Sequence, residues 1–153
     1  MPLSTKSGLP LRGTLFALLM LLLSSISPAV SPLHAAAPAA LGKDESGELT
    51  LAATKALFDA HSAYFVDARS EYAFYVSHIK GAHSLSESRF DEQFADFRQK
   101  NSIETPIVVY CAEPSCGKAR HVAEKLKKNG YRNVRVFTGG IIEWSHAGFT
   151  MEG

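Results

Sequence analysis

Between positions 50 and 150 the apolar residues recur at two different periods, and the alternation of those periods predicts the elements. From Thr50 to Ala60, Leu51, Leu57 and Phe58 are separated by Ala and Lys, which reads as a short helix with Thr50 as its N-cap. The run "AYFVDA" follows, with a strand from Tyr64 to Ala68. It is aromatic and β-branched without polar alternation, as expected of a strand covered on both faces. Glu71 to Val76 has room for one or two helical turns, and "HIKGAHSL" reads as a turn at Gly81 leading into a short strand. Phe90, Phe94 and Phe97 then recur at helical spacing, as core residues rather than a ligand box.

The strongest strand is Pro106 to Tyr110, "PIVVY", where Pro takes the one strand position that tolerates a missing donor. Cys111 ends it. After "AEPSCG", Ala119, Val122, Ala123 and Leu126 mark one face of a helix that Asn129 and Gly130 close. Val134 to Phe137 predicts another strand, Gly139 and Gly140 a turn, and "IIEWSHAG" a last short helix with Ile141 and Trp144 facing inward. No internal repeat is present. Helices alternating with short buried strands argue an α/β fold, a mostly parallel central sheet flanked by helices on both faces. In such sheets the ligand site lies beyond the carboxyl ends of the strands, which is where Cys111 falls.

Composition narrows the classes. The chain has 153 residues, 46% of them hydrophobic, and a formal charge of only +1, so one compact domain is expected and a nucleic-acid partner is not. Basic residues do gather from Lys118 to Arg135, but a solvated helix face accounts for them. The first forty residues differ in kind. Lys6 and Arg12 precede the apolar run Leu15 to Leu23, and Ser, Pro and an Ala-rich stretch from Ala35 to Ala40 follow. That order predicts a cleaved secretory signal peptide over 1–37, a flexible lead over 38–48 and the folded domain over 49–153. The apolar run is too short to cross a bilayer as a helix, which takes about twenty residues. The expected location is therefore exported: periplasmic if the source is a Gram-negative bacterium, otherwise secreted.

Only two cysteines exist, Cys111 and Cys116. A bridge between residues this close in sequence removes little entropy from the unfolded chain, so a structural staple explains them poorly. The neighbouring histidines, His121 and His146, follow no ligand spacing, and neither a metal nor a cofactor is expected. A reactive role remains. A strand that delivers a cysteine into a loop ahead of a helix brings its sulfur near free backbone N–H groups and the positive end of the helix dipole. Both favour the thiolate, the nucleophilic form. The candidate active-site loop is Ala112, Glu113, Pro114, Ser115, Cys116, Gly117 and Lys118. Lys118 and Arg120 add positive charge nearby and Glu113 opposes it. The bland alternative for Cys111 is a buried, inert thiol at a strand end.

The fragments "FVDAR", "HIKGAHSL", "IVVYC", the amphipathic helix and "GGIIEW" stand in the order and spacing of a rhodanese domain, so the chain resembles that family from about Leu49 to Gly153. The resemblance implies a rhodanese-type sulfurtransferase without cofactor, in which Cys111 takes a sulfane sulfur from a small donor as a persulfide and passes it to a thiol acceptor or to cyanide. It assigns Asp67 and Arg69 to a supporting "DxR" position and His78 and Gly81 to a scaffold turn, and Trp144 to packing of the final helix. Family members commonly carry a basic residue just after the nucleophile and another five positions on, where this chain has Ala112 and Cys116. That departure removes the expected clamp for thiosulfate and favours an uncharged or thiol-bearing donor. It also raises Cys116 as a resolving thiol. Related folds that act as phosphatases need an Arg in the loop to clamp phosphate, and Arg120 lies too far into the helix to supply it. Two further readings stay open, a thiol–disulfide redox protein and a non-catalytic binding module. A monomer is expected, and recruitment by a membrane or redox protein partner is left open.

Overall fold

The structure, a computed structural model, describes residues 48–153. The signal peptide and nearly all of the lead expected from the sequence lie outside the described residues, and no described helix is long and apolar enough to cross a membrane. In chain order the elements are α1 (Leu51–Asp59), β1 (Tyr64–Asp67), α2 (Glu71–Val76), β2 (His78–Ile79), β3 (His83–Ser84), a 3-10 turn (Glu87–Arg89), α3 (Phe90–Lys100), β4 (Ile107–Tyr110), α4 (Lys118–Lys128), β5 (Val134–Phe137), α5 (Gly140–His146) and β6 (Met151–Glu152). Thr50 and Ser70 each accept a hydrogen bond, from the amides of Ala53 and Ala73, and so satisfy an amide that the start of a helix leaves bare. At the other end of α4, Gly130 takes φ +93° and its amide reaches the Lys127 carbonyl, while Tyr131 donates to Leu126. That left-handed residue stops the helix, as the Asn129–Gly130 pair predicts.

Four strands form one parallel sheet in the order β3-β1-β4-β5, and β2 and β6 make a separate antiparallel ribbon. The mostly parallel central sheet with helices on both faces is therefore as the sequence predicts. The alternation of side chains along each strand sorts the core into two layers. Val66, Ile107, Val109, Val134 and Val136 pack with α3 and α4 residues such as Phe97 and Val122. Phe65, Val108, Tyr110 and Phe137 pack with Leu57 of α1 and with Ile141 and Trp144 of α5. Phe90 and Phe97 are buried and Phe94 partly so, in keeping with a core role. Ahead of α1, Leu49 lies parallel to Phe137 and donates its amide to the Val136 carbonyl at 2.8 Å.

Chain order makes the site predictable. From β1 the chain moves outward to β3 and then returns to the other side for β4 and β5. The reversal falls between β1 and β4, and a crevice opens there beyond the carboxyl ends of the strands. Cys111 is the first residue after β4.

Candidate functional site

Cys111 follows β4 on the α3/α4 side of the sheet and is 3% exposed. Its sulfur is bonded to that of Cys116, and the Cα atoms stand 6.2 Å apart. The loop between them folds back through a turn, with Pro114 at its second position and the Cys116 amide donating to the Glu113 carbonyl at 3.0 Å. Proline fits there because its fixed φ is the one such a turn requires. Glu113, Pro114 and Ser115 are exposed, whereas Cys116 and Gly117 are half-buried.

Two hydrogen bonds set the loop's orientation. The first amides of α5 donate to it, Ile141 to the Cys111 carbonyl at 2.9 Å and Ile142 to the Ala112 carbonyl at 3.1 Å. The peptides are trans, so each N–H points opposite to its own C=O. With both carbonyls turned to α5, the amides of Ala112 and Glu113 face away from it. They and the Ser115 and Gly117 amides find no acceptor among the described residues, and no side chain caps the start of α4. Proline leaves one gap in that set of donors, and the turn occupies the Cys116 amide. The contact with α5 also dictates a glycine. Gly140 sits at φ +64°, and a Cβ there would come within 2.5 Å of the Ala112 carbonyl oxygen and 2.7 Å of that of Cys111. The sequence reading treated Gly139-Gly140 only as a turn and missed this role. The positional signal was there: two glycines directly ahead of a helix.

Asp67 and Arg69 form a rigid corner on the opposite face. Asp67 is fully buried at the end of β1, and the Arg69 guanidinium holds its carboxylate through Nη2 at 2.7 Å and Nε at 3.0 Å. The same Nη2 donates to the Ser77 carbonyl at 2.6 Å. Tyr110, paired in register with Asp67, receives the Ile79 amide on its hydroxyl. Burial, with the Asp67 charge second, pushes the Tyr110 phenol far above its ordinary range, so it stays protonated. This network binds β1, β4 and β2 together but sits on the α1/α5 side of the sheet, away from the sulfur. Asp67 and Arg69 are thus tied to each other and to the Ser77 carbonyl. His78 and Gly81 likewise meet Glu152 of β6, at 3.2 Å and 2.8 Å.

The Arg120 guanidinium pairs with Glu48 at 2.7 and 2.9 Å. Position explains this. Ala119 and Val122 of α4 face the core, which turns the intervening Arg120 outward. Lys118 stands exposed at the first turn of α4, beside the loop. No cluster of metal-ligating side chains occurs among the described residues.

A strand-to-helix loop carrying a cysteine at the topological switch of a parallel sheet defines a class, and comparison identifies it. The family model of the rhodanese-like domain matches residues 50–147, and the chain belongs to that family. Thiosulfate sulfurtransferase GlpE of Haemophilus influenzae is 34% identical over 85 residues, which make up 56% of this chain and 75% of that protein. A tRNA uridine(34) hydroxylase of Erwinia tasmaniensis is 32% identical over 106 residues. The match covers 67% of this chain but only 29% of the hydroxylase, so the chain spans under a third of that relative's length. Among solved structures, EanB, captured as a cysteine persulfide in a tetrahedral intermediate state with ergothioneine, superimposes with a TM-score of 0.59 at 28% identity. That match covers 69% of this chain and 27% of the EanB chain.

Proposed function

We propose that the domain is a sulfurtransferase that carries sulfane sulfur as a persulfide on Cys111, with Cys116 as its resolving thiol. The observation that carries this reading is the position of Cys111 directly after β4, in a loop whose amides of Ala112, Glu113, Ser115 and Gly117 have no acceptor among the described residues. A thiolate or a terminal persulfide sulfur is an anion that such donors stabilise. The sulfurtransferase name of the GlpE relative and the persulfide in EanB support the same chemistry.

The Cys111 thiolate attacks the outer sulfur of a neutral donor persulfide, R–S–SH, to leave Cys111–S–S⁻ while the R–S⁻ leaving group takes the proton and departs as RSH. An acceptor thiolate then attacks that outer sulfur and departs as a persulfide, which returns Cys111 to its thiolate. When no acceptor is present, the Cys116 thiol reacts at the inner sulfur: the Cys111–Cys116 bond forms and HS⁻ leaves with the thiol proton. Such a branch would leave a Cys111–Cys116 bond like the one in the structure, and an external dithiol reductant would reset it by exchange. With Ala112 after the nucleophile and Glu113 exposed beside it, an uncharged or thiol-bearing donor suits the loop better than thiosulfate. Export, argued from Lys6 and Arg12 ahead of the apolar run, would set this chemistry in a compartment where disulfides persist.

The bonded pair also favours a second reading, thiol–disulfide exchange as the main activity. One experiment separates the two. The protein is reduced, freed of reductant and incubated with an organic persulfide, and its intact mass is read. Gain of one sulfur atom by the Cys116→Ala variant, absent in Cys111→Ser, is expected for a sulfur carrier. An unmodified Cys116→Ala protein refutes sulfur transfer. An oxidising dithiol potential in the parent protein, with no such loading, leaves redox exchange as the function.

A further inference from the structure

At the other end of the sheet one side chain departs from its surroundings. On the face under α1 and α5, Phe65, Val108 and Arg135 stand side by side across β1, β4 and β5. Phe65 and Val108 are 5% and 1% exposed. The third position of this apolar row carries a guanidinium. The Arg135 Nη1 atom is sealed from solvent and has no hydrogen-bond partner among the described residues. A cationic nitrogen that has lost its water and gained nothing in exchange is unfavourable, so native structures normally pair it. Glu104, whose backbone carbonyl meets Asn133, has its carboxylate engaged with Arg132 at 2.8 Å.

Arg135 lines a cleft of about 240 Å³. Leu57, Ala63, Pro106 and Val108 supply apolar wall, and Asn133 and Ser62 add polar groups. Asn133 gives one amide hydrogen to the Glu104 carbonyl at 2.9 Å, which leaves its second for another acceptor. The residues lining this cleft include no carboxylate. We infer that the cleft binds a small organic carboxylate, whose two oxygens take the Arg135 guanidinium as a fork and whose apolar body lies against Leu57, Pro106 and Val108. The flat fork of arginine matches a carboxylate in geometry, and mainly apolar walls select an anion with a hydrocarbon part over a bare inorganic one.

The cleft is separate from the sulfur chemistry. Ile107 and Val108 open β4 and Cys111 follows its end, so the two sites lie roughly 10–13 Å apart along the strand. A bound carboxylate would therefore neither touch Cys111 nor depend on it.

Benzoate is a suitable probe, added to the full-length protein labelled for NMR. Saturable shifts at Ala63, Val108 and Asn133 and at the Arg135 Nε–H are expected, unchanged in Cys111→Ser. Arg135→Met should weaken benzoate binding at least about tenfold, the usual worth of a hydrogen bond to a charged group. Without ligand that variant should melt no lower than the parent protein, because it removes a half-buried guanidinium whose sealed Nη1 is unpaired among the described residues. Absence of saturable shifts, equal affinity in Arg135→Met, or inorganic sulfate binding as tightly as benzoate would each overturn the inference. So would a lower melting temperature for Arg135→Met, which would mean that the guanidinium already has a structural partner.

Discussion

Replacing Gly140 by alanine should damage the cysteine loop, and the structure gives the size of the effect. The residue has φ +64°, where a side chain costs about 1–2 kcal/mol. The new Cβ would also stand 2.5 Å from the Ala112 oxygen and 2.6 Å from its carbonyl carbon. Both are backbone atoms, so no flexible side chain can swing aside and the loop itself must retreat. That retreat breaks the bonds from Ile141 to Cys111 and from Ile142 to Ala112, worth about 0.5–1.5 kcal/mol each. The sum is about 2–5 kcal/mol, or a fall in melting temperature of roughly 10–25 °C for a domain of this size. Gly148 provides the control. It has φ +72° but nothing within 4 Å of an added Cβ, so Gly148→Ala should lose only the conformational part, about 1–2 kcal/mol. Urea denaturation of both variants measures the difference, and the rate of Cys111 alkylation after reduction reports the loop. If the two variants lost stability equally, within about 0.5 kcal/mol, the close approach of α5 to the loop would be wrong.

Asp67→Asn leaves the half-buried Arg69 guanidinium without its fully buried counter-charge and should cost up to about 3–5 kcal/mol. The alkylation rate of reduced Cys111 should stay the same, because the pair lies on the other face of the sheet; a changed rate would tie the pair to the sulfur. The His83 ring stacks on Tyr64 with centroids 4.3 Å apart, and burial first, then the positive charge of Lys100, lowers its pKa. On acidification through the ordinary histidine range the unfolded chain therefore binds a proton that the folded one does not yet bind. Stability is fully present above that range and falls as pH drops toward the folded pKa. Denaturation midpoints at about pH 7 and about pH 5 should differ less in His83→Gln than in the parent protein; an equal difference in both would assign the acid sensitivity elsewhere.

Much of this was legible along the chain because local pattern and global fold agree. The bounds of α2 and β5 are those expected, and β1 and β4 each run one residue shorter than the pattern suggests. The 3-10 turn and the β2–β6 ribbon were not legible. Two-residue strands carry no periodicity, and the partners His78 and Glu152 are 74 positions apart. At the site, Cys111, its loop and the Asp67–Arg69 corner could be named from motif order. What could not be read was which groups meet: the α5 amides on the loop carbonyls, or Arg120 on Glu48, 72 residues away. A staple across so short a loop as that between the two cysteines removes little entropy from the unfolded chain. The bond between them is informative for its chemistry instead.

The contact made by Leu49 reaches beyond α1. β5 borders the sheet, and a bare border strand offers its row of amides and carbonyls to any other chain. Leu49 already engages part of that row through Val136 and Phe137, while the opposite border, β3, is only two residues long. Trimming from the amino-terminal side must therefore stop before Leu49, or the apolar rim Val134–Phe137 is left open to strand-by-strand aggregation.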